Sequence, residues 1–254
     1  MHSDQLNQLL SSTVRALDTA ESVWQQFGER MTLTASVVID KMAKLTESPI
    51  PGHPVVAQDT VRLDQFIAMV VDMRKSTEHL MCAISLKRAK ASQLERIFYE
   101  TSALLPGLAV AISYEDGAVT EYLGDGVLAL YPYDESEPGD SITSAYRGSR
   151  NCLQFVEDVL NPELDRRYGL PGLSIGIGLA CSKALVTLVG TRSFVQPKAF
   201  GECVFRATKL SKGKDEIRVD AKLHREWPTS KEGRLHFHEK DYGNWKGYVV
   251  ARDN

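Results

Sequence analysis

Cysteine is scarce in this 254-residue chain, and its four copies, Cys82, Cys152, Cys181 and Cys203, stand far apart without a C-x-x-C pair. That spacing excludes the dense disulfide framework of small secreted domains and points to reduced, mostly buried thiols. An excess of charge of one sign is missing too, since 30 Lys and Arg stand against 33 Asp and Glu for a net charge of -3. No overall positive field is available to hold a nucleic-acid backbone, so no nucleic-acid partner is expected. A run of about 18 uncharged apolar residues is also lacking. Residues 1–10 are polar and acidic, where a secretory signal would be basic and then apolar. No membrane association is expected, and the cytoplasm is the expected location. At 43% hydrophobic and 25% charged, the composition is globular, neither disordered nor that of a collagen or coiled-coil rod.

Proline is absent from residues 4–45, where Leu6, Leu9, Leu10, Val14, Leu17, Val23, Trp24 and Phe27 recur at helical spacing with only Gly28 to interrupt. This predicts one or two amphipathic helices, lying on their own core or helping to build a dimer. Residues 47–58, ESPIPGHPVVAQ, then concentrate three prolines and a glycine, a pattern that breaks regular structure and reads as a linker. The expected division is an N-terminal helical region and linker over 1–55, followed by a mixed domain over 56–254.

In that domain the apolar run FIAMVV at 66–71 has the pattern of a strand buried on both faces, and it ends abruptly at Asp72. Ser76 and Thr77 introduce a helix. A second helix from about Ser92 carries Leu94, Ile97, Phe98, Thr101 and Leu105, with Pro106 and Gly107 expected to close it. Residues 118–122 and 127–131 flank Leu123-Gly124-Asp125-Gly126, a hairpin signal because Asp-Gly supplies the dihedral angles of a tight turn. A helix through Ala145, Cys152 and Val159, a strand over 173–179 (LSIGIGL), a helix over 205–210 and strands over 217–219, 235–238 and 247–251 complete the reading. The order implies an α+β sandwich, with helices packed on a mostly antiparallel sheet.

Two acidic positions stand out. Asp72 lies where a buried strand meets a helix start, and Asp125 lies at the tip of a hairpin whose strands belong beside that strand. Each has an ordinary explanation, a helix cap for Asp72 and a turn residue for Asp125. Together they offer two carboxylates at one sheet edge, and magnesium-like cations are commonly held by two carboxylates plus substrate phosphates. Backbone N–H groups of Met73 to Thr77 would add an anion cradle.

These segments carry a resemblance. FIAMVVDMRKST resembles the first metal-binding strand and phosphate-binding turn of class III nucleotidyl cyclases, and EYLGDGVLALY resembles their second metal hairpin. LSIGIGLACSKALVTLVGT with AFGECVFRATKLSKG resembles their later strand and helix, so the likeness covers roughly residues 60–250. The resemblance implies a ferredoxin-like sandwich with an active site shared between the subunits of a head-to-tail homodimer. It implies that Asp72 and Asp125, with the carbonyl of Met73, hold two magnesium or manganese ions. Arg74, Lys75, Ser76, Thr77, Lys209 and Lys240 then meet the triphosphate of a nucleoside triphosphate substrate, Lys209 as a catalytic cation.

The departures bear on substrate. Phe205 stands where the family has an asparagine that orients the ribose, and Lys209 where it has an arginine, keeping the charge but losing the bidentate fork. At the two base-selecting positions this chain has Glu121 and Lys198, the pattern of neither adenylate nor guanylate cyclases. In this the chain resembles the bacterial Pycsar enzymes, which make cyclic UMP or cyclic CMP to activate a separate effector in anti-phage defence. UTP is the expected substrate, with CTP next. The alternatives are an adenylate cyclase and a non-catalytic domain that binds nucleotide or a partner. A diguanylate-type cyclase is disfavoured because its G-G-[DE]-E-F hairpin is missing. His236 and His238 have no third zinc ligand nearby in sequence, and LSIGIGL lacks the third glycine of a dinucleotide site.

Overall fold

A computed structural model describes residues 45–58, 60–77, 93–191, 194–229 and 235–252. The amphipathic helices expected over 4–45, and the body of the helix expected after Ser76, lie outside them. The described chain begins with β1 (Leu45–Glu47), β2 (Val55–Ala57), β3 (Arg62–Met73), α1 (Gln93–Ser113), β4 (Ala118–Tyr122) and β5 (Gly126–Pro132). It continues with α2 (Pro138–Gln154), a π-helical stretch (Phe155–Leu160), α3 (Asn161–Tyr168), β6 (Ile175–Thr191) and β7 (Phe194–Gly201). Last come α4 (Glu202–Leu210), β8 (Glu216–Asp220), α5 (Ala221–Arg225), β9 (Leu235–Asp241) and β10 (Lys246–Arg252). The sheet runs β4-β5-β3-β6-β8-β10-β9, with β7 paired to the far half of β6. Every pairing is antiparallel except β6 with β8. The segment from β3 to β6 is a β-α-β-β-α-β unit in the order β4-β5-β3-β6, so the ferredoxin-like sandwich expected from the sequence is present.

Both faces of β3 are covered, which is why its sequence is a continuous apolar run and not an alternating one. Ile67, Met69 and Val71 pack with Leu104, Leu108 and Ile112 of α1 and Ile142, Ala145 and Cys152 of α2. Phe66, Ala68 and Val70 pack on the other face with Cys203, Ala207 and Leu210 of α4. Strand alternation therefore sets Asp72, two residues beyond Val70, on the face that carries α4.

Three sequence expectations need correction. Residues 47–58 do not form an irregular linker: β1 and β2 make an antiparallel hairpin. Burial of Ile50 and Val56 beneath it, with His53 Nε2 3.0 Å from Asp64 Oδ2, fixes it to the sheet while the prolines occupy its turn. Pro106 and Gly107 do not close a helix, because α1 continues to Ser113. Leu104, Leu108, Ala111 and Ile112 form one buried face across the proline, and the carbonyl that loses its donor belongs to exposed Ser102, where water can serve it. The strand expected over 173–179 runs instead over Ile175–Thr191, its less buried second half paired with the start of β3 and with β7.

The glycines of LSIGIGL have a packing reason. A Cβ on Gly178 would lie 2.1 Å from the Ala207 carbonyl oxygen and 2.6 Å from the Ser211 nitrogen, so α4 rests directly on the backbone of β6. Since backbone cannot swing aside as a side chain can, Gly178→Ala is expected to destabilise the fold by about 3 kcal/mol, the top of the usual overpacking range. Thermal melting should show a fall of roughly 10 °C. An unchanged melting temperature would contradict this packing.

Candidate active site

Register brings the two aspartates together. Asp72, at the end of β3, is paired with Gly126, the first residue of β5, and the Met73 N–H donates to the Asp125 carbonyl at 3.1 Å. Gly126 permits this approach, since a Cβ there would lie 2.2 Å from the Val71 carbonyl oxygen. The Arg74 N–H donates to the Ser174 carbonyl at 2.7 Å, tying the residues after β3 to those before β6. Asp72, Met73, Arg74 and Asp125 thus form one cluster at the sheet edge.

Its electrostatics follow from the geometry. Burial and the neighbouring Asp125 carboxylate push the Asp72 carboxyl above its ordinary range, against the pull of Arg74. Arg74 Nη1 donates to Asp72 Oδ2 at 2.7 Å and also to the Ser211 carbonyl at 3.5 Å. Lys75 is exposed and has a φ of 54°, a left-handed conformation that is unusual for a residue with a Cβ. It turns the chain sharply before Ser76 and Thr77, which are already helical.

The cluster's donor set fits a divalent cation that is shared with a substrate. Among the described residues no group of three or more His, Cys, Asp and Glu side chains is placed to hold an ion. Two carboxylates leave coordination positions for phosphate oxygens, and the repulsion from Asp125, which adds to burial in raising Asp72, is what a dication removes. His236 and His238 are both exposed on β9.

A second pair is closed within one chain. Lys198 Nζ of β7 lies 2.8 Å from Glu121 Oε2 of β4, with side chains 26% and 28% exposed. The bulge between Val119 and Glu121 alters the direction of β4 where Glu121 stands. Phe205 and Lys209 of α4 and Lys240 of β9 are exposed, Phe205 by 70%. The structure therefore gathers Asp72, Met73, Arg74 and Asp125, and separately Glu121 and Lys198, while Phe205, Lys209 and Lys240 face solvent. The sequence reading missed the groups that hold the β9–β10 tip, Arg206, Arg218, Tyr242 and Trp245. Two aromatic residues flanking Gly243 were their only signal.

Solved structures show what arranges its chain this way. The guanylyl cyclase Cya2 superposes with a TM-score of 0.57 at 17% identity, over 74% of this chain and 90% of that one. The adenylyl cyclase CyaB from P. aeruginosa gives 0.57 at 12% identity, over 77% and 97%. A bacterial light-regulated adenylyl cyclase gives 0.55 at 15% identity, over 98% of this chain and 66% of that one. The fold is that of the nucleotidyl cyclase catalytic domain. No protein-family model and no curated protein sequence matches the chain, so the cyclase fold is shown by structure alone. Among the described residues of this cyclase fold, no helix is long and apolar enough to cross a membrane.

Proposed function

We propose that the chain is a nucleotidyl cyclase that converts a nucleoside triphosphate to a 3',5'-cyclic mononucleotide and pyrophosphate. The observation that carries this reading is the convergence of Asp72 and Asp125 at the end of β3 in a cyclase fold. In the reaction the ribose 3'-oxygen bonds to the α-phosphorus and loses its proton, and the bond from that phosphorus to the pyrophosphate oxygen breaks. Two magnesium or manganese ions, when bound, supply acidity to the 3'-hydroxyl and countercharge to the triphosphate. Asp72 and Asp125, with the Met73 carbonyl, would hold them. Arg74, Lys75, Ser76 and Thr77 would meet the phosphates beside the aspartates, and Lys209 and Lys240 would meet them from the face of α4.

The working unit is proposed to be a head-to-tail homodimer. Val189, Phe194 and Phe200 on the β6–β7 arm and Phe205 on α4 all leave large apolar side chains exposed in the single chain. A second copy covering them would remove that surface from water and bring Phe205 and Lys209 to the partner's aspartates.

The Glu121–Lys198 pair supports a pyrimidine base, UTP before CTP. It sets one acceptor beside one donor at 2.8 Å. Uracil can give its ring N–H to Glu121 and take a hydrogen bond from Lys198 at a carbonyl. Cytosine can give its amino group and accept at its ring carbonyl. Phe205, in place of a smaller asparagine, favours the one-ring base. The product would signal to a separate cyclic-nucleotide-responsive effector, in anti-phage defence as in the Pycsar enzymes the sequence resembles. A purine triphosphate is the second reading, because the solved neighbours are adenylyl and guanylyl cyclases and adenine also places a donor beside an acceptor.

Initial rates at equal concentrations of ATP, GTP, CTP and UTP decide between them. UTP is expected to be fastest and CTP second, with the preference flattened in both Glu121→Ala and Lys198→Ala, since a site built on specific hydrogen bonds discriminates through the groups it leaves unpaired. ATP or GTP turned over fastest by the parent would overturn the pyrimidine assignment. An unchanged preference in both variants would show that another group reads the base.

A further inference from the structure

The tip of the β9–β10 hairpin is fastened to the rest of the sheet by a stack of rings and cations. Tyr242 and Trp245 lie with ring centroids 4.4 Å apart and planes 13° from parallel. The Tyr242 N–H donates to the Trp245 carbonyl at 3.0 Å across the turn. On one side, Arg206 Cζ of α4 lies 5.5 Å from the centroid of the Trp245 ring. That guanidinium is itself held by Glu202 at 2.6 Å. On the other side, Arg218 Nη1 of β8 donates to the Tyr242 hydroxyl at 2.9 Å. Cation and ring stabilise each other at such distances, and the Tyr242–Trp245 stack closes an edge hairpin that would be marginal on its own.

Lys240 is two residues from Tyr242, paired with Gly247 on β10. Phe237 packs against His224 and Trp227 on the α1–α2 side of the sheet, so alternation places Lys240, three residues on, on the face that carries α4. Arg206 stands on α4 between Phe205 and Lys209. The stack therefore joins the strand bearing one exposed lysine to the helix bearing the other.

We propose that Trp245 is a positioning residue, which holds Lys240 at a fixed height over α4 so that Lys240 and Lys209 meet the triphosphate as one preorganised pair. This rests on the cyclase reading above. A lysine ammonium on a four-carbon stem is a mobile point charge, and a rigid support is what converts it into an oriented ligand.

The test is a double-mutant cycle in KM for the best nucleoside triphosphate, with manganese. Lys240→Ala is expected to raise KM about tenfold in the parent, the scale of one charge-assisted hydrogen bond, and less than about twofold in Trp245→Ala, where the lysine is already misplaced. Trp245→Phe keeps a stacked ring and should keep the full Lys240 effect. If Trp245→Ala does not melt cooperatively, Arg206→Met takes its place in the cycle, with the same expectation. An equal Lys240→Ala loss in both backgrounds would reduce Trp245 to a stabilising residue and overturn the proposal. A parent that turns over well and is indifferent to Lys240→Ala would overturn it while leaving the cyclase reading intact. A parent inactive on all four triphosphates would take the cyclase reading down first.

Discussion

Asp72→Asn and Asp125→Asn are each expected to lower turnover by at least about a thousandfold, because metal-assisted charge stabilisation amounts to several kcal/mol of barrier. Both variants should still melt as folded domains. Neither side chain is part of the two apolar clusters that flank β3, and the backbone bond from Met73 N–H to the Asp125 carbonyl survives both changes. For Asp72 a pH signature accompanies the loss. Burial and the Asp125 carboxylate raise its folded-state pKa above the ordinary value of 3.8, so between those two values the folded state binds more protons than the unfolded one. Stability contributed by this group is thus full at low pH and declines as pH rises through the window. At neutral pH, Asp72→Asn should melt at or above the parent's temperature, and the difference should fade below about pH 4. Manganese should raise the melting temperature of the parent and not of either variant. Activity near the parent rate in either variant would remove the two-metal assignment, and loss of folding would make that aspartate a structural residue.

The second large effect is recovery by mixing. Homodimers of Asp72→Asn and of Lys209→Ala should both be inactive, since each carries one lesion in every site. Mixed in equal amounts with free subunit exchange, half the dimers become heterodimers, each with one doubly damaged site and one intact site. About a quarter of parental activity should return. The surface available for such pairing is the exposed apolar set Val189, Phe194, Phe200 and Phe205, which a single chain leaves in water. Exchange demonstrated by a tagged subunit, with no return of activity, would mean that the site is complete within one chain, and activity in the Lys209→Ala homodimer itself would mean that Lys209 is dispensable.

What the sequence made legible was local. FIAMVV ending in Asp72, and Leu123-Gly124-Asp125-Gly126 between two strand patterns, each encode their geometry within a dozen residues, and the antiparallel pairing of β3 with β5 does the rest. The sandwich followed from the order of such patterns. The readings that failed are those decided by distant packing. Pro106 looks like a stop until the buried face of Leu104, Leu108 and Ile112 is seen to continue past it. Residues 47–58 look like a linker until Ile50 and Val56 find the cluster under α4. Glu121 and Lys198 were matched to base selection by resemblance, yet their 2.8 Å contact joins strands that nothing local in the sequence connects. Trp245 stood out only as one of two aromatic residues near Gly243, and its role was hidden because its partner Arg206 lies in another part of the chain.

One measurement tests the central claim most directly: purified protein incubated with manganese and each of the four nucleoside triphosphates in turn, with products separated by chromatography and identified by mass. The expected result is a 3',5'-cyclic mononucleotide with one pyrophosphate released per product, foremost from UTP, and none from Asp72→Asn. Inorganic phosphate with nucleoside diphosphate, a linear or cyclic dinucleotide, or no product from any of the four would contradict it.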